Sequence, residues 1–172
     1  GSRLLQAGAY ETSAGASFIP LPNEVYWSPV IGANDVGDLE RQPINFRVSC
    51  DHPINGLSDP CLGVNYAFGE RAYTALVATQ ETGEGAFSRH TESMAIGSIR
   101  HQAIVMAEDE YGRPAVYFLS HRGPYRVGAV GLQYVGEDIE DLWSTVNLSA
   151  NIVAHGIYYA DLHQIWWWVA RN

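Results

Sequence analysis

Four sets of side chains have types that could do chemistry: Ser120-His121, the trio His155, Asp161 and His163, two acidic runs, and the cysteines Cys50 and Cys61. A serine nucleophile needs its oxygen within hydrogen-bond reach of the imidazole. Neighbouring residues of an extended segment point to opposite faces, so Ser120-His121 reads as strand-end hydrogen bonding. No Gly-x-Ser-x-Gly elbow supplies an alternative. His155, Asp161 and His163 have the chemistry of transition-metal ligands, but a site needs three or four that converge. His155 precedes a strand whose far end carries the other two, a separation of roughly 15 Å. No metal site and no cofactor is expected. The runs Glu108-Asp109-Glu110 and Glu137-Asp138 with Glu140-Asp141 could supply the carboxylate pair of a glycoside hydrolase. At turns and in the first turn of a helix, such acids are ordinarily solvated. Cys50 and Cys61 are the only cysteines, and two buried thiols or one bridge both remain open. Gly83-Glu84-Gly85 lacks the Lys-Ser/Thr of a phosphate-binding loop. With no catalytic residue to name, the chain reads as a structural or binding module and not an enzyme.

The bulk composition bounds the partners. In 172 residues, 47% are hydrophobic and 17% charged, enough core material for one domain. The formal net charge is −9 and every basic residue is an arginine. Without a basic run, an acidic chain is a poor ligand for phosphate backbones, so no nucleic acid is expected. No apolar run approaches the ~18 residues that span a membrane, and the N-terminus does not read as a signal peptide. The sequence stops just after the strongly hydrophobic segment 165–170, which reads as a piece of something longer.

Positioning elements come from a repeated strand signature. Val25-Tyr26-Trp27-Ser28, Val64-Asn65-Tyr66-Ala67, Val116-Tyr117-Phe118-Leu119 and Ile157-Tyr158-Tyr159-Ala160 share it, at intervals of about 40–50 residues. Residues 63–78 and 156–170 each read as strand, short polar turn, strand, and 115–127 as a third hairpin. Residues 98–109 predict a long strand. Segments 11–23 and 31–44 predict surface loops, and 80–97 a loop beside a short element. One helix is expected over 138–147, capped by Asp138, with Ile139, Leu142, Trp143 and Val146 on a buried face. One sheet unit per interval is the mark of propeller blades, so the fold class is all-β, propeller-like antiparallel blades, partial or open, with that one short helix. A sandwich or barrel with Tyr-rich strands is the alternative.

Trp166-Trp167-Trp168 places aromatic rings on both faces of one strand. Two aromatic faces fit an inner sheet packed between neighbours, whereas exposed rings would suit stacking on sugars. With Tyr158 and Tyr159, these tryptophans are the candidate packing and interaction residues.

Four segments resemble the β-propeller-containing structural proteins of tailed-phage virions, found around neck and tail. They are Val25-Tyr26-Trp27-Ser28-Pro29, the turn and strand from Gly69 to Tyr73, the run from Ala115 to Val127, and the last hairpin through Trp168. The Gly131–Gly136 strand running into the Asp138 helix is similar to a feature of the same family. The resemblance implies a virion or prophage assembly protein, located in the particle or in host cytoplasm before assembly. Its implied partners are other virion proteins and further copies of itself, a homo-oligomer. A carbohydrate-binding β-domain is the first alternative, and a hydrolase using the acidic runs the second.

Overall fold

Each strand that the sequence marks most clearly finds its neighbour in sequence as its partner in space. A computed structural model describes residues 5–12, 18–27, 46–79, 83–147 and 154–170. Within these residues thirteen strands form four antiparallel sheets, each a run of consecutive strands. The first sheet is β1 (Leu5–Thr12), β2 (Phe18–Trp27) and β3 (Arg47–Ser49). The second is β4 (Gly56–Leu57), β5 (Val64–Phe68), β6 (Tyr73–Ala78) and β7 (Phe87–Ser93). The third is β8 (Ile104–Glu108), β9 (Pro114–Ser120), β10 (Gly123–Gly128) and β11 (Gly131–Tyr134). The fourth is the hairpin β12 (His155–Tyr159) and β13 (Gln164–Trp168). The first strands of successive sheets are neighbours. β1 contacts β4, β8 contacts β12, and both β4 and β12 contact the His101–Ala103 turn that leads into β8.

Alternation of side chains then gives every sheet two faces, and consecutive sheets meet face to face. Call the face turned toward the next sheet forward and the other backward. Val25, Ala7, Leu5 and Val48 of the first sheet pack on Ala67, Leu76, Leu57 and Phe87 of the second. Tyr66, Phe68, Tyr73 and Ala75, forward on the second sheet, pack on Val116, Phe118 and Val127 of the third. Phe118 is fully buried, with the Phe68 ring centroid 4.7 Å away and Tyr125 6.1 Å away. Burial of each such ring is worth about 1.5–3 kcal/mol. Leu119, forward on the third sheet, joins Ala103, Ala154, Trp167 and Val169 in the last cluster. Two buried polar side chains are paired within this framework: His52 Nε2 lies 3.1 Å from Thr74 Oγ1, and Asn65 Nδ2 donates to Ser58 O.

Several expectations need correction. Residues 11–23, expected as loop, carry the end of β1 and the start of β2. The long strand over 98–109 is only Ile104–Glu108, and residues 87–93 form a full strand. The helix is shorter than 138–147: a 3-10 turn at Glu137–Ile139 and one α-helical turn, α1 (Glu140–Trp143). Ile139 and Leu142 are exposed, and Trp143 and Val146 are half-buried. Asp138 makes no cap bond, because the chain enters α1 through the 3-10 turn. At the other end the Ser144 and Thr145 hydroxyls donate back to Asp141 O and Leu142 O, and Asn147 N bonds Ala170 O. Such back-bonding competes with continued helix. The predicted loop over 31–44 lies outside the described residues.

Candidate functional site

The fourth sheet is fixed from one side only. Its backward face carries Gly156, Tyr158, Ile165 and Trp167, paired as Gly156↔Trp167 and Tyr158↔Ile165. Trp167 Nε1 donates to Ala103 O at 3.2 Å, tying β13 to the turn ahead of β8. A Cβ on Gly156 would stand 2.5 Å from the Trp167 ring and 2.6 Å from Val105 Cγ2, so only glycine lets β12 lie this close to β8. The hairpin reverses through a 3-10 turn at Ala160–Leu162 and His163 at φ 50°, whose ring sits 3.1 Å from Tyr158 OH.

With that face anchored, the opposite one is bare. The register pairs His155↔Trp168, Ile157↔Trp166 and Tyr159↔Gln164, all on the forward face. Trp166 is 49% exposed, Trp168 53%, Ile157 51% and Tyr159 44%. The sequence expectation that both faces of β13 pack between layers is therefore corrected: Trp167 packs, and Trp166 and Trp168 do not. The rings touch one another, with Tyr159–Trp166 centroids 6.0 Å apart and Trp166–Trp168 6.4 Å. Trp166 Nε1 donates to Gln164 Oε1, leaving the outer surfaces of the indoles apolar. Four half-exposed side chains of this size make an apolar patch on the order of 400 Å², the size of patches that mark interaction surfaces. Among the described residues, no carboxylate, lysine or arginine lies on this face. Tyr158, a candidate alongside these residues, is half-buried on the opposite side. Ile157, His155 and Gln164 were missed as members of the face, although hairpin register alone assigns them to it.

The other residue sets have structural partners. His121 Nε2 lies 2.7 Å from Glu70 Oε1, joining the second and third sheets, and Ser120 is buried. Asp109 closes the β8–β9 turn: it accepts from Tyr111 N, Arg113 N and Arg113 Nε. Desolvation works to raise its pKa, but the Arg113 side chain and these backbone bonds outweigh it and hold it down to about 2. Glu110 forms a two-pronged pair with Arg126; that hydrogen bond, then its own backbone amide, lowers it to about 2. A glycosidase acid must keep its proton near neutral pH, and these two carboxyls are held in the opposite sense. Glu137, Asp138, Glu140 and Asp141 are exposed.

Cys50 and Cys61 are separate free thiols buried in different clusters, and burial raises both. Among the described residues, no three His, Cys, Asp or Glu side chains converge on a metal position. None of the described helices is long and apolar enough to cross a membrane. A groove of about 320 Å³ opens where β4, β8 and β12 meet, with Ile104 and Val116 in its wall and Asp59, His101 and His155 at its polar margin. No protein-family model matches the chain, and no curated protein matches it closely enough to count as a relative.

Proposed function

We propose that this chain is a structural assembly protein that binds other proteins through its sheet faces. The observation that carries the reading is the bare forward face of β12–β13, where Ile157, Tyr159, Trp166 and Trp168 form an uncharged apolar patch on a hairpin anchored from behind. Interface cores have this composition, rich in Trp and Tyr and depleted of charge. Consecutive antiparallel sheets with their first strands side by side support a propeller-like arc as the scaffold. The sequence resemblance supplies the setting, a tailed-phage or prophage particle, with other virion proteins as partners.

The rival reading, carbohydrate binding, draws on the same exposed rings. Trp166 and Trp168 meet at 65° and Tyr159 and Trp166 at 36°, which does not offer a sugar chain two parallel platforms. Protein docking suits tilted rings better, because side chains of a partner sheet can fill the angles between them. Mass spectrometry of purified particles from the encoding phage or its lysogen tests the setting. The chain is expected in fixed ratio to neck and tail proteins; particles that lack it would overturn the virion reading. Titration with soluble oligosaccharides should give no binding, and saturable binding lost in Trp166→Ala would move the assignment to carbohydrate recognition.

A further inference from the structure

We infer that the forward face of β12–β13 is covered by the first sheet of a second copy of this chain, in a head-to-tail contact; the inference rests on the assembly reading and names its partner. Inside the chain the same junction occurs three times. Forward residues of the first, second and third sheets each meet backward residues of the next. Among the described residues, the repetition leaves two faces with no sheet against them. One is the forward face of the fourth sheet. The other is the backward face of the first, where Gln6↔Tyr26, Tyr26↔Arg47 and Glu24↔Ser49 are paired across strands. Gln6 and Ser49 are exposed there, on the side opposite Val25 and Trp27, and Pro22 is exposed in the irregular stretch of β2 beside them.

The two faces suit each other in chemistry. Among its described side chains the backward face holds Arg47, bonded to Tyr26 OH, and Glu24, which accepts from Ser49. The described residues of the forward face include no carboxylate, lysine or arginine. A chain of net charge −9 would repel a copy of itself through most surfaces, and this pair of faces adds no like charge to the contact. Tyr26, Pro22 and the flat guanidinium of Arg47 are also the groups that lie well against indole rings. A patch of about 400 Å² is half of what one partner buries in a stable interface, so it would form the core with a polar rim around it. A head-to-tail contact is heterologous: it closes a ring where the rotation allows and otherwise continues as a filament.

Sedimentation velocity on the purified chain over a range of micromolar concentrations distinguishes the outcomes, using Trp168→Glu, Gln6→Glu and their equimolar mixture. Each variant spoils one face and leaves the other intact. Self-association of the wild type is expected, weakened at least about 30-fold in each variant alone. The mixture should regain association that neither variant shows, because one sound junction remains between unlike copies. A contact of the aromatic face with itself gives another pattern, in which Trp168→Glu dissociates, Gln6→Glu does not, and mixing restores nothing; that pattern overturns the proposal. A wild type that stays monomeric throughout also overturns it, while leaving assembly with a different protein to the particle test above. Circular dichroism melts check folding, and Trp166→Glu with Pro22→Glu repeats the test on the same two faces.

Discussion

Asp109 and Glu110 stand side by side, and both are held ionised by an arginine from another part of the turn or sheet. Their ordinary values are 3.8 and 4.5, and both fall to about 2 in the fold. A depressed carboxyl stabilises the folded state above its unfolded value, and that contribution disappears as pH drops toward the folded value. The melting temperature should therefore fall as pH is lowered from about 4.5 to 2. Glu110→Gln should flatten part of that fall and leave the Asp109 part in place. A melting temperature independent of pH over that window would show that these pairs are too well solvated to matter. The sequence displayed this acidic run but not its role. Arg113 is close in sequence to Asp109, whereas Arg126 reaches Glu110 only through the β9–β10 pairing.

Among the elements, the hairpins were legible because alternating β-branched and aromatic residues flank short polar turns. β5–β6, β9–β10 and β12–β13 form where those signals are strong. β7 was not, because Arg89, His90, Thr91 and Glu92 are all exposed on an edge strand and show no alternation. That charged edge also discourages pairing with another chain. β1 and β2 pass through Gly8, Pro20, Pro22 and Asn23, turn formers that tertiary pairing overrides. The helix period at 139–146 was real as a pattern but lacked a sheet to bury its stripe. Trp143, half-buried, donates to His121 O, and Leu142 faces outward. Trp143→Ala should thus cost about 1–2 kcal/mol, against about 3–5 kcal/mol for Phe118→Ala in the fully buried ring cluster. Equal losses in a urea titration would contradict this ordering. Gly156→Ala should cost about 1–3 kcal/mol by overpacking Trp167 and Val105. If that variant melts like the wild type, the close seating of β12 on β8 is wrong.

At the scale of the whole molecule, three tryptophans in a row announced a packed strand, and the sequence could not say from which side. Composition puts aromatic rings on both faces of β13, and among the described residues the third sheet covers one of them. The described residues thus present consecutive sheets, the last of which has a forward face with the apolar character of the buried ones and no described sheet upon it. On the proposed reading this face is an association surface, bare in the separated chain and covered when chains meet. Acrylamide quenching of tryptophan fluorescence, followed as the protein is concentrated, tests it most directly. Trp27 is fully buried and Trp143 and Trp167 are half-buried, so quenching in dilute solution should come chiefly from Trp166 and Trp168. Strong quenching is expected at low concentration, declining as the measured mass rises, with no such decline in Trp168→Glu. Quenching that stays equally strong while the mass rises would place the contact elsewhere, and weak quenching of the dilute monomer would mean that the chain covers this face itself.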